Sequence, residues 1–158
     1  MKRMFIALVV LVLATTTLSA QITPGGLAIT GLVGGMVNNG VGIGYGLSEN
    51  LKVNGVIGFS SISNDNGGNF GFGASGQYYL NTTENVSTFV GAEFGLDFVS
   101  FGGGTSDTYV NVGAFLGAEY WFSPKFSWAG TVGFGLSSGT NVFIGTNMSS
   151  GLTWWFSL

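Results

Sequence analysis

In several long segments of this chain, every second residue is large and apolar, and the residues between them are small or polar. In "NVFIGTNMSSGLTWWFSL", one set of alternate positions is dominated by Val, Ile, Met, Leu, Trp and Phe, and the other set by Gly, Asn, Ser and Thr. The same division recurs in "FSWAGTVGFGLSS" and "VSTFVGAEFGLDF". A period of two residues is typical of a β-strand whose two faces meet different surroundings. After the first twenty residues there is no convincing helical period and no apolar run long enough for a membrane-spanning helix.

This alternation predicts eight strands, separated by segments rich in Asn, Ser, Asp and Gly. They are expected at residues 27–37, 39–47, 51–62, 69–80, 86–98, 108–122, 126–137 and 141–157. An even number of strands places both termini on one side, together with the connections "LSENL", "LNTTENV" and "FSPKF". The other four connections, which are short, then lie on the opposite side.

No charged residue occurs at the alternate positions that are large and apolar. Four charged residues lie on the opposite, small and polar face of the strands, namely Lys52, Glu93, Asp97 and Glu119. Five are assigned to connections, namely Glu49, Asp65, Glu84, Asp107 and Lys125. A lysine or arginine facing lipid at mid-bilayer costs about 2 to 4 kcal/mol, so a charge-free apolar face suits a membrane barrel. With 7% charged residues, against about 25% in an ordinary soluble domain, the chain can hardly build a water-exposed exterior. The pattern therefore predicts an all-β fold, a closed eight-stranded antiparallel up-and-down transmembrane β-barrel formed by residues 21–158.

The first twenty residues, "MKRMFIALVVLVLATTTLSA", have the layout of a secretory signal peptide. Lys2 and Arg3 precede an apolar run, and small residues lead to Ala20, so the mature chain is expected to begin at Gln21. The mature chain then has two lysines against seven carboxylates, a net charge of −5, which makes nucleic acid an unlikely partner. Cysteine and histidine are absent, so no metal site and no cofactor site are predicted.

The stretches "GYGLSENLKVNGVIGFS" and "GAEYWFSPKFSWAGTVGFGL", the eight alternating strands and the aromatic C-terminus resemble the small eight-stranded outer-membrane barrels of the OmpA/OmpX type. The resemblance implies a place in the bacterial outer membrane, in contact with its lipid. It also implies a C-terminal signal for the outer-membrane assembly machinery, whose positions are filled by Ser149, Gly151, Trp154 and Phe156. In that family the chain usually ends on the last aromatic residue, whereas Ser157 and Leu158 follow here.

Two further groups of residues are predicted from face and position. Outward aromatic residues near the terminal side are expected to form an interfacial girdle at the level of the lipid headgroups, namely Tyr45, Tyr78, Tyr120, Phe122, Phe126, Trp128, Trp154 and Phe156. Inward polar and charged residues are expected to form a network in the lumen, namely Lys52, Gln77, Tyr79, Glu93, Asp97, Tyr109, Asn111 and Glu119.

The lumen carboxylates Glu93, Asp97 and Glu119 could be catalytic, acting as an acid and base pair. A structural network is favoured over it, because narrow barrels fill their interiors with such side chains and the barrel enzymes that resemble this fold use a histidine. The glycine motif "GFGASG" matches a dinucleotide-binding fingerprint, but no helix follows it to receive a pyrophosphate. The loop "NDNGGN" offers oxygen ligands for calcium, but hairpin loops are rich in these residues anyway.

Two functions stay open at this stage. The favoured one is a monomeric structural or surface-interaction protein whose lumen is filled by bulky inward residues: Leu32, Met36, Tyr79, Phe89, Tyr109, Phe115, Trp121 and Trp155. The alternative is a narrow pore for small solutes or ions, in the volume left by inward glycines: Gly42, Gly44, Gly46, Gly58, Gly71, Gly73, Gly133 and Gly135. A secreted amyloid or matrix protein would need repeats and polar ladders, which the sequence lacks.

Overall fold

The computed structural model describes residues 22–35, 39–62, 67–83, 85–101 and 105–156, with only the backbone at residues 61 and 62. Eight strands account for most of these residues, and each alternates between buried and exposed side chains as the two-residue period requires. They are β1 (Leu27–Gly34), β2 (Gly40–Ser48), β3 (Leu51–Ile62), β4 (Gly67–Thr82), β5 (Val86–Phe101), β6 (Thr105–Ser123), β7 (Phe126–Ser138) and β8 (Val142–Phe156). The predicted signal peptide and Gln21 lie outside the described residues, as do Met36, Asp65, Glu84, Ser157 and Leu158.

The strands form a closed barrel in which each is antiparallel to its chain neighbours and β8 pairs with β1. The strands are staggered, so that one circuit of the barrel along paired residues ends at a different residue of the starting strand. A path that starts at Thr153 on β8, crosses to Thr30 on β1 and follows the paired residues through every strand returns to β8 at Phe143, ten residues earlier. A stagger of ten over eight strands corresponds to a strand tilt of about 40°. The predicted up-and-down barrel is therefore confirmed.

The strand boundaries differ from the prediction mainly at the end away from the termini. There β4, β5 and β6 each continue two or three residues beyond the expected limit, so the connections between them are shorter than the sequence suggested. The assignment of Asp107 to a connection was wrong, because it lies within β6 and pairs with Val99. Extended backbone is compatible with turn-forming residues such as Gly67 and Asp107 when neighbouring strands supply their hydrogen bonds.

The barrel wall is uneven in height. β1 and β2 have 8 and 9 residues, whereas the other six strands have 12 to 19. Among the described residues, the register pairs of β1 and β2 with their outer neighbours end at Gly34 with Ser149 and at Gly40 with Gly58. One further backbone bond follows on each side, from Gly35 N to Met148 O and from Phe59 N to Asn39 O. Gly34 and Gly35 have φ values of 80° and 89°, a conformation that glycine adopts without strain, and they begin the turn there.

Small and aromatic side chains fill the interior at the end that carries the termini. The buried apolar residues share this end, namely Ile22, Ala28, Tyr79, Phe89, Phe115, Trp121 and Trp155. Register shifts at Gly46/Ser48, Tyr79/Asn81 and Trp121/Ser123 mark bulges near the three hairpins of this end. Among the described residues, no helix is long and apolar enough to cross a membrane.

Candidate functional site: the barrel interior

The predicted lumen residues lie on the inward face of the barrel. Lys52, Asp97, Asn111 and Glu119 are at most 7% exposed, and Gln77, Glu93 and Tyr109 are partly buried. The structure does not join them into one network. They form separate groups at different depths, because the strand tilt places inward residues of different strands at different heights along the barrel axis.

The deepest group surrounds Glu119 near the terminal end. Its carboxylate accepts hydrogen bonds from the hydroxyl groups of Tyr79 and Ser127. Glu119 is 1% exposed, and it interacts electrostatically with Lys52, which is 3% exposed. A buried carboxylate is tolerated when hydrogen-bond donors and a nearby cation compensate its lost hydration.

The Lys52 side chain is held in place by aromatic residues. Its Nζ lies 5.2 Å from the centroid of the Trp155 ring, within the range of a cation–π interaction. Trp155 in turn stacks on Trp121, with ring centroids 6.2 Å apart. The indole nitrogen of Trp121 donates to Ser87, whose hydroxyl also contacts that of Thr82. Sequence reasoning missed Ser87, Thr82 and Ser127, because small hydroxyl residues give no distinctive signal in a sequence rich in Ser and Thr.

The lumen above this layer is narrowed by two phenylalanines that lie across glycines. In the register of β5 and β6, Phe89 pairs with Gly117 and Gly91 pairs with Phe115. A side chain at either glycine would collide with the facing ring. The rings of Phe89 and Phe115 meet edge to face at 6.2 Å, and Phe89 also contacts Tyr79 at 5.3 Å. We call Tyr79, Phe89, Phe115, Trp121 and Trp155 the aromatic plug.

Residues before β1 cover the aromatic plug from the terminal side. Ile22 is 3% exposed. The backbone of this segment is tied to β2, since Gly25 N donates to Gly46 O at 2.8 Å and Gly46 N donates to Gly26 O at 3.0 Å. A side chain at Gly46 would meet the Ile22 side chain and the Thr23 carbonyl. This mouth of the barrel is therefore closed by two layers.

The other half of the lumen contains a cavity of about 80 Å³. Lys52, Gln77 and Thr153 lie at its deep end, and Leu32, Val56, Phe115 and several glycines form its walls. Such a volume holds roughly five water molecules when it is lined by polar groups. The predicted inward glycines Gly42 and Gly73 line it, so their missing side chains contribute to the open space.

Three acidic residues lie higher in the lumen, each with its own partner. Glu93 accepts from Asn147 Nδ2 at 2.8 Å, and Asp97 accepts from Asn111 Nδ2 at 2.8 Å. Asp107, which lies on β6, accepts hydrogen bonds from the Tyr109 hydroxyl at 3.4 Å and from the Thr140 hydroxyl at 3.3 Å. Glu93 and Asp97 are not joined to Glu119 by any hydrogen bond between described residues, so the geometry provides no acid and base pair of the kind considered above. Within the same residues, no cluster of acidic side chains could hold a metal ion.

The predicted girdle residues lie on the outward face, around the terminal end. All are at least 41% exposed except Phe126, which is partly buried between Phe122 at 5.4 Å and Trp154 at 5.6 Å. The Trp128 indole donates to Ser150 at 2.8 Å. A second set of outward aromatic rings lies towards the other end and consists only of phenylalanines: Phe59, Phe70, Phe72 and Phe98. Phe98 contacts Phe70 and Phe72 at 6.5 and 5.9 Å.

The residues matched to the assembly signal lie on the strand that closes the barrel. Ser149 pairs with Gly34 and Gly151 with Leu32, so these two contribute to the seam with β1. Trp154 and Phe156 point outward, whereas Trp155 between them is 4% exposed and points inward. The structure thus places two residues of "WWF" on the outer surface and one in the aromatic plug.

The solved structures that this chain resembles include two outer-membrane barrels with the same architecture. The N-terminal β-barrel domain of Pseudomonas aeruginosa OprF is 17% identical, with a TM-score of 0.61, and the match covers 84% of this chain and 98% of that domain. Neisserial surface protein A (NspA) is also 17% identical, with a TM-score of 0.56, and the match covers 83% of this chain and 95% of NspA. No family model matches the sequence, and no curated protein matches it. The chain therefore has the fold of the small eight-stranded outer-membrane β-barrels.

Proposed function

We propose that this chain is an integral outer-membrane barrel with a structural or surface-interaction role, whose lumen is closed at the periplasmic end and does not conduct. The observation that carries the proposal is the pair of layers at that end, the aromatic plug and the Ile22–Gly26 segment. Tyr79, Phe89, Trp121 and Trp155 are each at most 4% exposed. An eight-stranded barrel has an interior just wide enough for side chains to fill, so such a layer closes it.

Location in the outer membrane is supported by the outward surface. No charged residue occurs among the described outward side chains of the strands, and exposed Val, Ile, Leu and Phe cover the region between the two aromatic sets. This is the surface that lipid contact requires. The comparison structures support the same location, and the N-terminal "MKRMFIALVV" supports export. Glu93, Asp97 and Glu119 each accept at least one hydrogen bond from a neighbouring lumen side chain, which supports a structural role, so we propose no enzymatic activity.

Planar-bilayer recordings test the closed lumen. Purified, refolded protein is expected to give no discrete conductance steps, because the aromatic plug interrupts any water path. A variant with Phe89→Ala and Trp155→Ala serves as the positive control, since it removes two rings from that layer and should raise conductance. Discrete steps from the unmodified protein that fall when Glu93 and Asp97 are neutralised would instead establish the narrow pore.

The C-terminal strand gives a matched pair of variants for assembly. We expect Phe156→Asp to impair insertion, because it places a charge on the outward face next to β1 and within the proposed assembly signal. Trp155→Ala should spare insertion and loosen the lumen, since its side chain points inward. The measurement is the fraction of protein in the outer membrane whose migration on a detergent gel changes on heating. Equal defects from both variants would show that the outward and inward roles are not separate.

A further inference from the structure

The half of the lumen away from the termini, which we call the loop-side half, carries negative charge that no basic side chain balances. Three carboxylates point into it from β5 and β6, namely Glu93, Asp97 and Asp107. Residues 21–158 contain two basic side chains. Lys52 interacts with Glu119 near the terminal end, and Lys125 lies in the β6–β7 turn at that same end. The chain therefore supplies no cation to these three carboxylates.

Asp97 is the carboxylate whose hydrogen bonding is least complete. It is 7% exposed, and Asn111 donates a hydrogen bond to its Oδ2. Its Oδ1 is buried and has no hydrogen-bond partner among the described residues. An amide N–H is neutral, so the donor from Asn111 leaves the negative charge of a buried group uncompensated, which is unfavourable. A ligand that brings both N–H donors and positive charge would be stabilised at this oxygen.

A second acceptor on the same wall also has no donor. The amide oxygen of Asn69, on the neighbouring strand β4, is buried without a hydrogen-bond partner in the described part of the chain. Asn69 pairs with Val99, which lies two residues beyond Asp97 on the same face of β5. Diagonal neighbours of this kind have α-carbons about 7 to 8 Å apart. One group with several donors, such as an ammonium, can therefore serve both oxygens.

Aromatic rings stand near these acceptors, and solvent reaches this part of the lumen. Tyr109 pairs with Asp97 across β5 and β6. Phe143 lies on the same face of β8 as Asn147, which donates to Glu93. Although Phe143 points inward, it is 55% exposed, so solvent reaches the inner face of β8 here. Aromatic rings are favourable neighbours for organic cations.

The carboxylates are spaced along the barrel axis and do not converge on one point. At a tilt of about 40°, each residue of a strand rises about 2.5 Å along the axis, which places Asp97 about 10 Å above Glu93. Within the described residues, no group of acidic side chains could hold a metal ion, and Ca²⁺ takes about six to eight oxygen ligands around one centre. An elongated cation with several charges matches the spacing better than a metal ion does.

We propose that the loop-side half of the lumen binds a linear polyamine, with one ammonium group at Asp97 and Asn69 and a second at Glu93. The first ammonium donates to Asp97 Oδ1 and to the amide oxygen of Asn69, beside the Tyr109 ring. The alkyl segment runs along the axis to Glu93, which lines the cavity of about 80 Å³. Charge-assisted hydrogen bonds are about twice as strong as neutral ones, and the low-dielectric wall of a barrel in lipid focuses the attraction. The inference goes beyond the proposed structural role.

Equilibrium dialysis of radiolabelled spermidine tests the proposal with purified, refolded protein in uncharged detergent micelles. We expect saturable binding of a single spermidine per barrel. Asp97→Asn and Glu93→Gln should each raise the Kd about tenfold or more, the effect of losing one charge-assisted hydrogen bond. Glu49→Gln removes a carboxylate from the exposed β2–β3 turn. It is the matched control and should bind spermidine like the unmodified protein.

Heat-modifiable gel migration checks that each variant has folded. If Asp97→Asn does not fold, the unmodified protein still decides the question. Butylamine has a single ammonium group and should bind about tenfold more weakly than spermidine, because it reaches one carboxylate only. Equal affinity for the two amines would overturn the site, as would equal binding by the variants and the control. Displacement of spermidine by calcium at lower concentrations than by putrescine, at constant ionic strength, would show a metal site instead. Because conductance is measured separately, failure here leaves the closed-lumen proposal standing.

Discussion

Glu119→Ala is expected to lower the free energy of unfolding by about 3 to 5 kcal/mol, the usual effect of removing one member of a buried charged group. The substitution leaves Lys52 buried without its nearby carboxylate and removes the acceptor of the Tyr79 and Ser127 hydroxyl groups. Each buried donor left unpaired costs about 1 to 3 kcal/mol. Urea unfolding in detergent micelles or lipid vesicles, followed by the heat-modifiable gel shift, measures the loss.

Two variants make this result specific. Glu49→Ala also removes a carboxylate, but from the exposed β2–β3 turn, and should change stability by no more than about 0.5 kcal/mol. The double variant Lys52→Met with Glu119→Ala should lose less than the sum of the two single losses, because neither charge is then left alone. A loss below about 1 kcal/mol for Glu119→Ala would contradict the cluster as described.

Gly91→Ala is expected to destabilise the barrel by about 1 to 3 kcal/mol, the usual range for an overpacked interior. The added methyl group would collide with the Phe115 ring and lie 2.5 Å from the carbonyl oxygen of Gly76. A ring can move, but this carbonyl belongs to the backbone of a paired strand and cannot move without disturbing the sheet. The same unfolding measurement tests this, and Phe115→Leu added to Gly91→Ala should recover part of the loss.

Gly55→Ala is the matched control. Gly55 lies on the outward face of β3, and an added methyl group would meet no atom within 4 Å. Removing a flexible glycine from a strand interior should leave stability unchanged or raise it by about 0.5 to 1 kcal/mol. If Gly91→Ala and Gly55→Ala had equal effects, Phe115 would not occupy the space above Gly91.

The sequence alone was enough to predict the barrel and the face of each strand. Both rest on one physical constraint: in a strand, a side chain such as Trp154 and its neighbour Trp155 must point to opposite faces. Because lipid excludes charge from one face, Lys52, Glu93, Asp97 and Glu119 could be assigned to the lumen before their partners were known. Strands such as β3 and β7 could be predicted almost entirely from the two-residue alternation of their side chains.

The hydrogen-bond partners of the inward side chains and the position at which β1 ends could not be predicted from the sequence. Which inward groups meet depends on strand register and tilt, so the pairing of Glu119 with Tyr79 and Ser127, or of Glu93 with Asn147, leaves no trace in the period of two. The end of β1 at Gly34 depends on hydrogen bonds from β8 and on the positive φ of Gly34 and Gly35. Asp107 reads as a turn residue, yet the Tyr109 and Thr140 hydroxyl groups support it inside β6.

Sided labelling of single cysteines tests the central claim, a lumen open at one end only. The chain has no native cysteine, so Thr131→Cys in the cavity and Ser87→Cys beside the aromatic plug each introduce a single thiol. With protein reconstituted in one orientation, a membrane-impermeant maleimide should modify Thr131→Cys from the loop side only and leave Ser87→Cys unmodified from either side. Modification of either cysteine from the side of the termini would contradict the closed periplasmic end.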